Sequence, residues 1–490
     1  MDPYSPELLW MVILGFILAF FLAFAIGAND VANSFGTSVG SGVLTFKQAV
    51  ILAAIFETAG AVLIGYKVTD AIRKGVVDVS VYEGSENVLV LGMLASLIGS
   101  TIWIFIATFA NAPVSTTHSL VGGIVGFSLV ARGGDGLNTG QLISIVISWF
   151  VSPALSGVVA IVIYTLIKYL ILRAGNPFKA GLISLPIIYG LSFFINFLAI
   201  TFGGSALLGM SHLTTWMCFV ISIGVAIAVA LIIQFTLVPW QKRKVLSEAN
   251  SSGNNVTIPP HTQYQINTVL SLENGKINEA FESKDVEVAA IDNTGNLTPN
   301  GSTVALDATL ADQKSGMVET LFHYLQILSA VFTAFAHGGN DVSNSIGPLI
   351  TIWMVYTEGS AMQKSESPIY LLFYGGIGMV IGFALLGRRI NETIGKKITK
   401  IVPSLGFTIE TAAAATVLLA SKLGIPVSTT HCIVGAVVSL GIIYGHTDDS
   451  GKRVNWKLAL SMFSAWVITL PVAGGISALV MYFFKLGFGF

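Results

Sequence analysis

Two acids occupy positions where an acid is costly. Asp30 closes AIGAND at 25–30 and Asp341 closes AHGGND at 336–341, each directly after an asparagine, Asn29 or Asn340, at the end of a long apolar run. A buried carboxylate must line a polar cavity or meet a cation, because desolvating it alone is prohibitive. The side-chain oxygens of Asp30, Asp341, Asn29 and Asn340 suit a hard, desolvated cation such as sodium. The glycines before each pair predict a helix break that brings backbone close to a ligand.

A second motif recurs beside the first. PVSTTH stands at 113–118 and again at 426–431. Proline fits the first helical turn, which predicts helices beginning near Pro113 and Pro426. A helix start offers unpaired N–H groups and a positive dipole, and the hydroxyls of Ser115, Thr116, Thr117, Ser428, Thr429 and Thr430 add donors, with Asn29 and Asn340 nearby. This is chemistry for a small tetrahedral oxyanion. The plainer reading, that these hydroxyls only cap or back-bond their own helices, stays open.

Further acids lie in apolar windows: Glu57 in AIFETAGAV and Glu410 in FTIETAAAA. Each could ligate sodium, carry a proton or serve as a hydrogen-bonded structural group. His118 and His431 end the STTH segments and are expected to support the anion site or the hairpin. A hydrolase built on Ser115 and His118 is disfavoured, because no third residue orients the histidine and the duplication would give two identical half-sites. His337 has no counterpart in the first copy, where Ile26 stands, and receives no role. Cys218 and Cys432 lie in apolar segments and are expected to be buried thiols.

The elements that must position these residues are membrane helices. Of 490 residues, 53% are hydrophobic and only 10% charged, less than half the usual charged share of about 25%. Windows at 8–28, 47–66, 88–110, 141–167, 183–203, 213–238, 368–387 and 457–484 are long enough to span a bilayer. With the PVSTTH segments and spans near 320–337 and 403–422, the count is seven before and five after a polar stretch at 241–318. That stretch opens with QKRK and reads as a cytoplasmic, mostly disordered linker between membrane parts at 1–240 and 319–490. Its sequons at Asn255, Asn296 and Asn300 argue the other way, and such sequons arise easily by chance. Counting outward from the linker leaves both termini outside and places Lys168, Arg173, Lys179, Arg388, Arg389, Lys396, Lys397, Lys400, Lys452, Arg453 and Lys457 inside. Only Lys67, Arg73 and Lys74 fall on the unfavoured side. The N-terminus lacks the features of a cleaved signal peptide.

The two motifs recur in one order, 311 residues apart for Asp30 and Asp341 and 313 for Ser115 and Ser428. The copies begin on opposite sides, which predicts an all-α polytopic membrane protein of about twelve transmembrane helices, built from two inverted-topology repeats with broken or re-entrant helices.

These residues resemble the PiT family of inorganic phosphate transporters, in animals the type III sodium–phosphate cotransporters. GANDVAN at Gly27–Asn33 and GGNDVSN at Gly338–Asn344 match the family signature, and the likeness covers 8–240 and 320–486. The resemblance implies sodium-coupled phosphate import by alternating access, with Asp30, Asp341, Glu57, Glu410, Ser115 and Ser428 needed for transport. The loop at 67–87 lacks the glycosylation sequon of many animal members, and the linker is shorter. The expected partners are phosphate, sodium ions and membrane lipid, with a homodimer left open, no nucleic acid, no cofactor and no enzymatic activity. The plasma membrane is the expected location. Proton coupling, sulfate as substrate and a primarily receptor or sensor role are the alternatives.

Overall fold

The computed structural model describes residues 2–203, 209–253, 290–291, 297–298, 302–444 and 454–490. Helices dominate them, because a chain this apolar must satisfy its backbone hydrogen bonds internally. In chain order they are α1 (Pro6–Asp30), α2 (Ala32–Gly40), α3 (Phe46–Ile64), α4 (Tyr66–Gly75), α5 (Glu86–Phe109), α6 (Thr116–Arg132), α7 (Thr139–Ile167), α8 (Pro177–Gly203), α9 (Thr215–Phe235) and α10 (Leu237–Gly253). They continue with α11 (Ser302–Glu358), α12 (Ile369–Leu386), α13 (Arg388–Glu392), α14 (Pro403–Lys422), α15 (Thr429–Tyr444) and α16 (Trp456–Phe488). Among the described residues, ten helical stretches are long and apolar enough to cross a membrane. The shorter α6 and α15 complete two hairpins with α5 and α14. The protein is an integral, multi-pass membrane protein.

Two compact units are distinguishable. The larger comprises Met1–Lys168, Ile187–Ala230 and Phe322–Phe490 and contains both copies of the repeat; the smaller comprises Tyr169–Pro186 and Leu231–Leu321. The ends of the polar stretch, 241–253 and 302–318, are helical, and a short ladder pairs Ala290–Ile291 with Leu297–Thr298. The rest of the expected linker, with Asn255, Asn296 and Asn300, lies outside the described residues.

Two hairpins organise the larger unit. α5 and α6 form the first, α14 and α15 the second. Each has its two ends tied together: Arg132 donates to the Ser85 hydroxyl and the Asn138 N–H reaches the Val76 carbonyl at 3.1 Å, while the Asn455 N–H reaches the Ile398 carbonyl at 2.9 Å. Each tip meets an asparagine of a long helix instead, Asn29 in the last turn of α1 and Asn340 inside α11. The hairpins therefore enter part-way and return to the side they came from. They are the re-entrant elements of the two inverted repeats.

Small residues set how the repeats interlock. A Cβ on Gly126 would meet the Gly474 backbone of α16, and one on Gly435 would meet the Pro153 backbone of α7. Each returning arm thus packs on the helix that follows the other hairpin, at the short range that small residues permit between membrane helices.

The glycines of the acidic motifs act in the same way, which corrects their reading as helix breakers. The interruption at the first motif is one residue, Val31, between α1 and α2, and α11 runs unbroken through Gly338–Asp341. Gly27 lies against the Met379 carbonyl of α12 and Gly338 against the Glu57 carbonyl of α3. The missing Cβ serves helix crossing and not backbone unwinding. The PVSTTH helices also begin later than expected, at Thr116 and Thr429. Pro113 and Val114 stay outside the helix because Ser115 is its N-cap and the Val114 N–H is taken by Asn29.

Candidate functional site

Asn29 fixes the tip of the first hairpin. Its Nδ2 donates to the Thr108 hydroxyl at 3.0 Å and the Ala112 carbonyl at 3.1 Å, and its Oδ1 accepts from the Val114 N–H at 3.0 Å. Asn340 holds the second tip by donating to the Val427 carbonyl at 2.9 Å. The tips then lock to each other reciprocally: the Thr117 hydroxyl donates to the Val427 carbonyl at 3.1 Å and the Thr430 hydroxyl to the Val114 carbonyl at 3.2 Å. Asn29→Ala removes three hydrogen bonds, each worth about 1 kcal/mol net. The expected loss is about 3 kcal/mol of stability in thermal unfolding of the purified protein, and a loss below about 1 kcal/mol would contradict the clamp.

Beneath the crossed tips lie the two acids. Asp30 accepts from the Thr116 hydroxyl at 2.7 Å and from the Thr430 hydroxyl at 2.9 Å. Asp341 accepts from Thr429 at 2.7 Å, from Asn344 Nδ2 at 2.7 Å and from Thr116 at 3.3 Å. Each carboxylate is thus bonded by threonines of both hairpins or shared between them. Asn33 is the first-copy equivalent of Asn344; its Nδ2 reaches Thr430 at 2.9 Å and Asp30 at 3.3 Å.

The expected serines sit differently. Ser115 Oγ accepts from the His118 N–H and Ser428 Oγ from the His431 N–H, both at 3.2 Å, so each caps its own helix. Thr116, Thr117, Thr429 and Thr430 turn towards the acids and the opposite tip. His118 and His431 point away from the acids, edge to face at 4.5 Å between centroids, each also packed against a tryptophan. Both cysteines are buried and free.

Sequence reasoning gave His337 no role, yet it stands at the centre. Its Nδ1 is 2.6 Å from Glu57 and its Nε2 is 3.0 Å from Asp341, while Ser34 donates to the other Glu57 oxygen at 3.1 Å. Its position four residues before Asp341, one helical turn, was the available signal. Asn33 and Asn344 were also missed, although both stand three residues after the acid in each copy of the motif.

Glu410 occupies a separate nest. It accepts from Thr37, from Ser38 at 2.6 Å, from Gln326 at 3.3 Å and from Ser329 at 2.5 Å. Gln326, Ser329, Thr333, His337, Asp341 and Asn344 thereby form one buried stripe on α11, facing Asp30, Asn33, Ser34, Thr37 and Ser38 of α1 and α2. At the same offset of 311 residues, the first copy has Gly15, Leu18, Leu22 and Ile26 where α11 has Gln326, Ser329, Thr333 and His337. The acid pair obeys the pseudo-symmetry; the polar file leading from it does not.

The donor set fits hard cations. Asp30, His337 and Asp341 each offer one ligand atom, all within 4.8 Å of one another. The amide oxygens of Asn33, Asn340 and Asn344 are buried beside them without a hydrogen-bond donor among the described residues. Buried carbonyl oxygens are ordinarily satisfied, and oxygens grouped with two carboxylates suit a desolvated alkali cation. The Asn29 oxygen, by contrast, is engaged by Val114. Over the same acids, the α6 and α15 N-termini bring their positive dipole ends and first-turn N–H groups together, which suits an anion.

A model of the phosphate transporter family matches residues 26–477, a span that includes both acids and both hairpins. The chain belongs to the phosphate transporter family. Among its relatives, sodium-dependent phosphate transporter 2 of Xenopus laevis is 34% identical, with 98% of this chain and 99% of the relative covered. Sodium-dependent phosphate transporter 1 of Homo sapiens is also 34% identical, with 98% of this chain and 96% of the relative covered. A solved structure described as the sodium-dependent phosphate transporter superposes with a TM-score of 0.77 at 32% identity, covering 98% of this chain and 100% of that one. In this phosphate transporter family member, the matched span thus holds the crossed tips and the acid pair as one built centre.

Proposed function

We propose that the protein imports inorganic phosphate together with sodium by alternating access, moving ions without making or breaking a covalent bond. One observation carries the reading: two hairpin tips of opposite entry cross over a buried pair of aspartates. Helix N-termini and threonine hydroxyls from both repeats would hold phosphate, and the Asp30–Asp341 pair with the amide oxygens of Asn33, Asn340 and Asn344 would hold sodium. Cations beside the anion cancel its charge and lower the cost of bringing either into the membrane. Alternating access requires an inner and an outer hairpin that open in turn, and inverted repeats supply one of each.

The orientation follows from charge placement. Treating the hairpins as pairs of spans or as re-entrant loops leaves an even number of crossings either way, so both termini lie on one side. Basic residues favour the cytoplasmic side, which puts the termini outside a plasma membrane and the stretch at 241–318 inside. On that orientation the asymmetric polar file from the acids past Glu410 leads inward. Glu410→Gln keeps the hydrogen-bonded shape and removes the charge; it should raise the sodium concentration for half-maximal uptake by about tenfold, a cost of about 1.4 kcal/mol. An unchanged sodium dependence would sink the assignment of Glu410 to the cation route.

The overall test is labelled-phosphate uptake into proteoliposomes with sodium replaced by choline. The expected result is uptake against a gradient only with sodium outside, undiminished by an equal concentration of sulfate. Uptake indifferent to sodium and driven by an imposed proton gradient would replace this reading with proton symport.

A further inference from the structure

Two residues along a helix is a turn of about 200°, so His118 faces away from the acids that Thr116 contacts. On that far side a cavity of about 610 Å³ opens between α7, α15 and α16, a size typical of small-molecule sites. Its rim carries Phe150, Leu460 and Val467, all largely exposed, on helices apolar and long enough to cross a membrane. A ligand would therefore enter from the lipid phase.

The floor is polar in a specific way. His118 packs against Trp149 at 3.7 Å between centroids and His431 against Trp466 at 3.9 Å, both pairs tilted. His431 Nδ1 lies 3.2 Å from the Trp149 backbone carbonyl. A carbonyl only accepts, so Nδ1 carries the proton and Nε2 of the neutral ring is an acceptor. The indole N–H groups are donors. Nε2 of both histidines and Nε1 of both tryptophans are buried without a partner among the described residues, an arrangement folded proteins rarely leave unfilled. Among the described residues no lysine, arginine, aspartate or glutamate lines the cavity, so a carboxylate or phosphate headgroup would find no counter-charge from them. A hydroxyl both donates and accepts, and matches such a floor.

We propose that this cavity binds a membrane lipid of the sterol class, with its single hydroxyl seated among His118, His431, Trp149 and Trp466. The rigid, uncharged ring system lies outward along the aromatic and aliphatic wall, where flat apolar surfaces stack well on Phe and Trp. The site uses none of the groups assigned to phosphate or sodium, so it stands independently of the transport reading.

The test uses the full-length protein in phosphatidylcholine nanodiscs, photolabelled with a diazirine-bearing sterol or with the methyl ether of the same probe. Label should concentrate on peptides of α7, α15 and α16, at least about tenfold more strongly for the free hydroxyl, because a site built to bond a hydroxyl rejects its blocked analogue. Ala459 lines the cavity, and Ala459→Trp should fill it and abolish the label. Equal labelling by the ether, or label spread evenly over other apolar helices such as α9, overturns the proposal. So does undiminished labelling of Ala459→Trp. Should that variant fail to fold, the comparison of hydroxyl and ether on the unaltered protein still decides.

Discussion

Asp341→Asn is expected to cut sodium-driven phosphate uptake by at least about 100-fold while leaving the protein folded. The carboxylate accepts two short hydrogen bonds, at 2.7 Å from Thr429 and 2.7 Å from Asn344, and lies 3.0 Å from His337 Nε2. Hydrogen bonds to a charged group contribute about 1.5–3 kcal/mol each, and about 2.8 kcal/mol corresponds to 100-fold. Asparagine retains one acceptor oxygen and replaces the other with an N–H donor, so one of the two short hydrogen bonds must be lost or reversed. The cation loses a full negative charge at the same position. Asp30→Asn should be slightly less severe, because the close His337 ion pair, at 3.0 Å, is with Asp341. The measurement is the initial uptake rate at matched protein amount, with a monodisperse size-exclusion profile as the fold control. Uptake above about a third of the unaltered rate in Asp341→Asn would remove it from the cation site, since that is less than 1 kcal/mol.

Gly338→Val should cut the yield of folded protein at least about tenfold. A Cβ there would fall on the Glu57 carbonyl of α3, and backbone cannot give way as the end of a flexible side chain can. Overpacking of this kind costs about 3 kcal/mol or more, a large part of a folded protein's total stability of about 5–15 kcal/mol. Gly224 provides the control: nothing among the described residues lies within 4 Å of its Cβ position. Gly224→Val should fold and elute normally, whereas Gly338→Val should give at most about a tenth of the folded yield. Equal yields would show that the crossing of α3 and α11 is looser than the structure has it.

The same glycines show where sequence reading stopped. Their position before Asn-Asp suggested a broken helix, because glycine weakens helices locally. Nothing in the local sequence tells that use from close helix crossing, which depends on a partner hundreds of residues away. Ser115 and Ser428 make the same point. A serine after proline at a helix start can cap or can face a ligand, and the choice was set by which hydroxyls the opposite hairpin engages.

Composition alone determined that this chain crosses a membrane many times, because so few charges cannot keep a long chain soluble. The duplicated Gly-Asn-Asp and PVSTTH motifs marked the paired acids, the paired hairpins and the inverted architecture, since repeats and charge asymmetry are written linearly. Only the tertiary structure decided that the hairpin tips cross, that His337 joins Glu57 to Asp341, and that Glu410 sits in a nest of hydroxyls with no counterpart in the other repeat. Those features join side chains up to about 400 positions apart, and the distances that matter to a buried charge are a few ångströms through space.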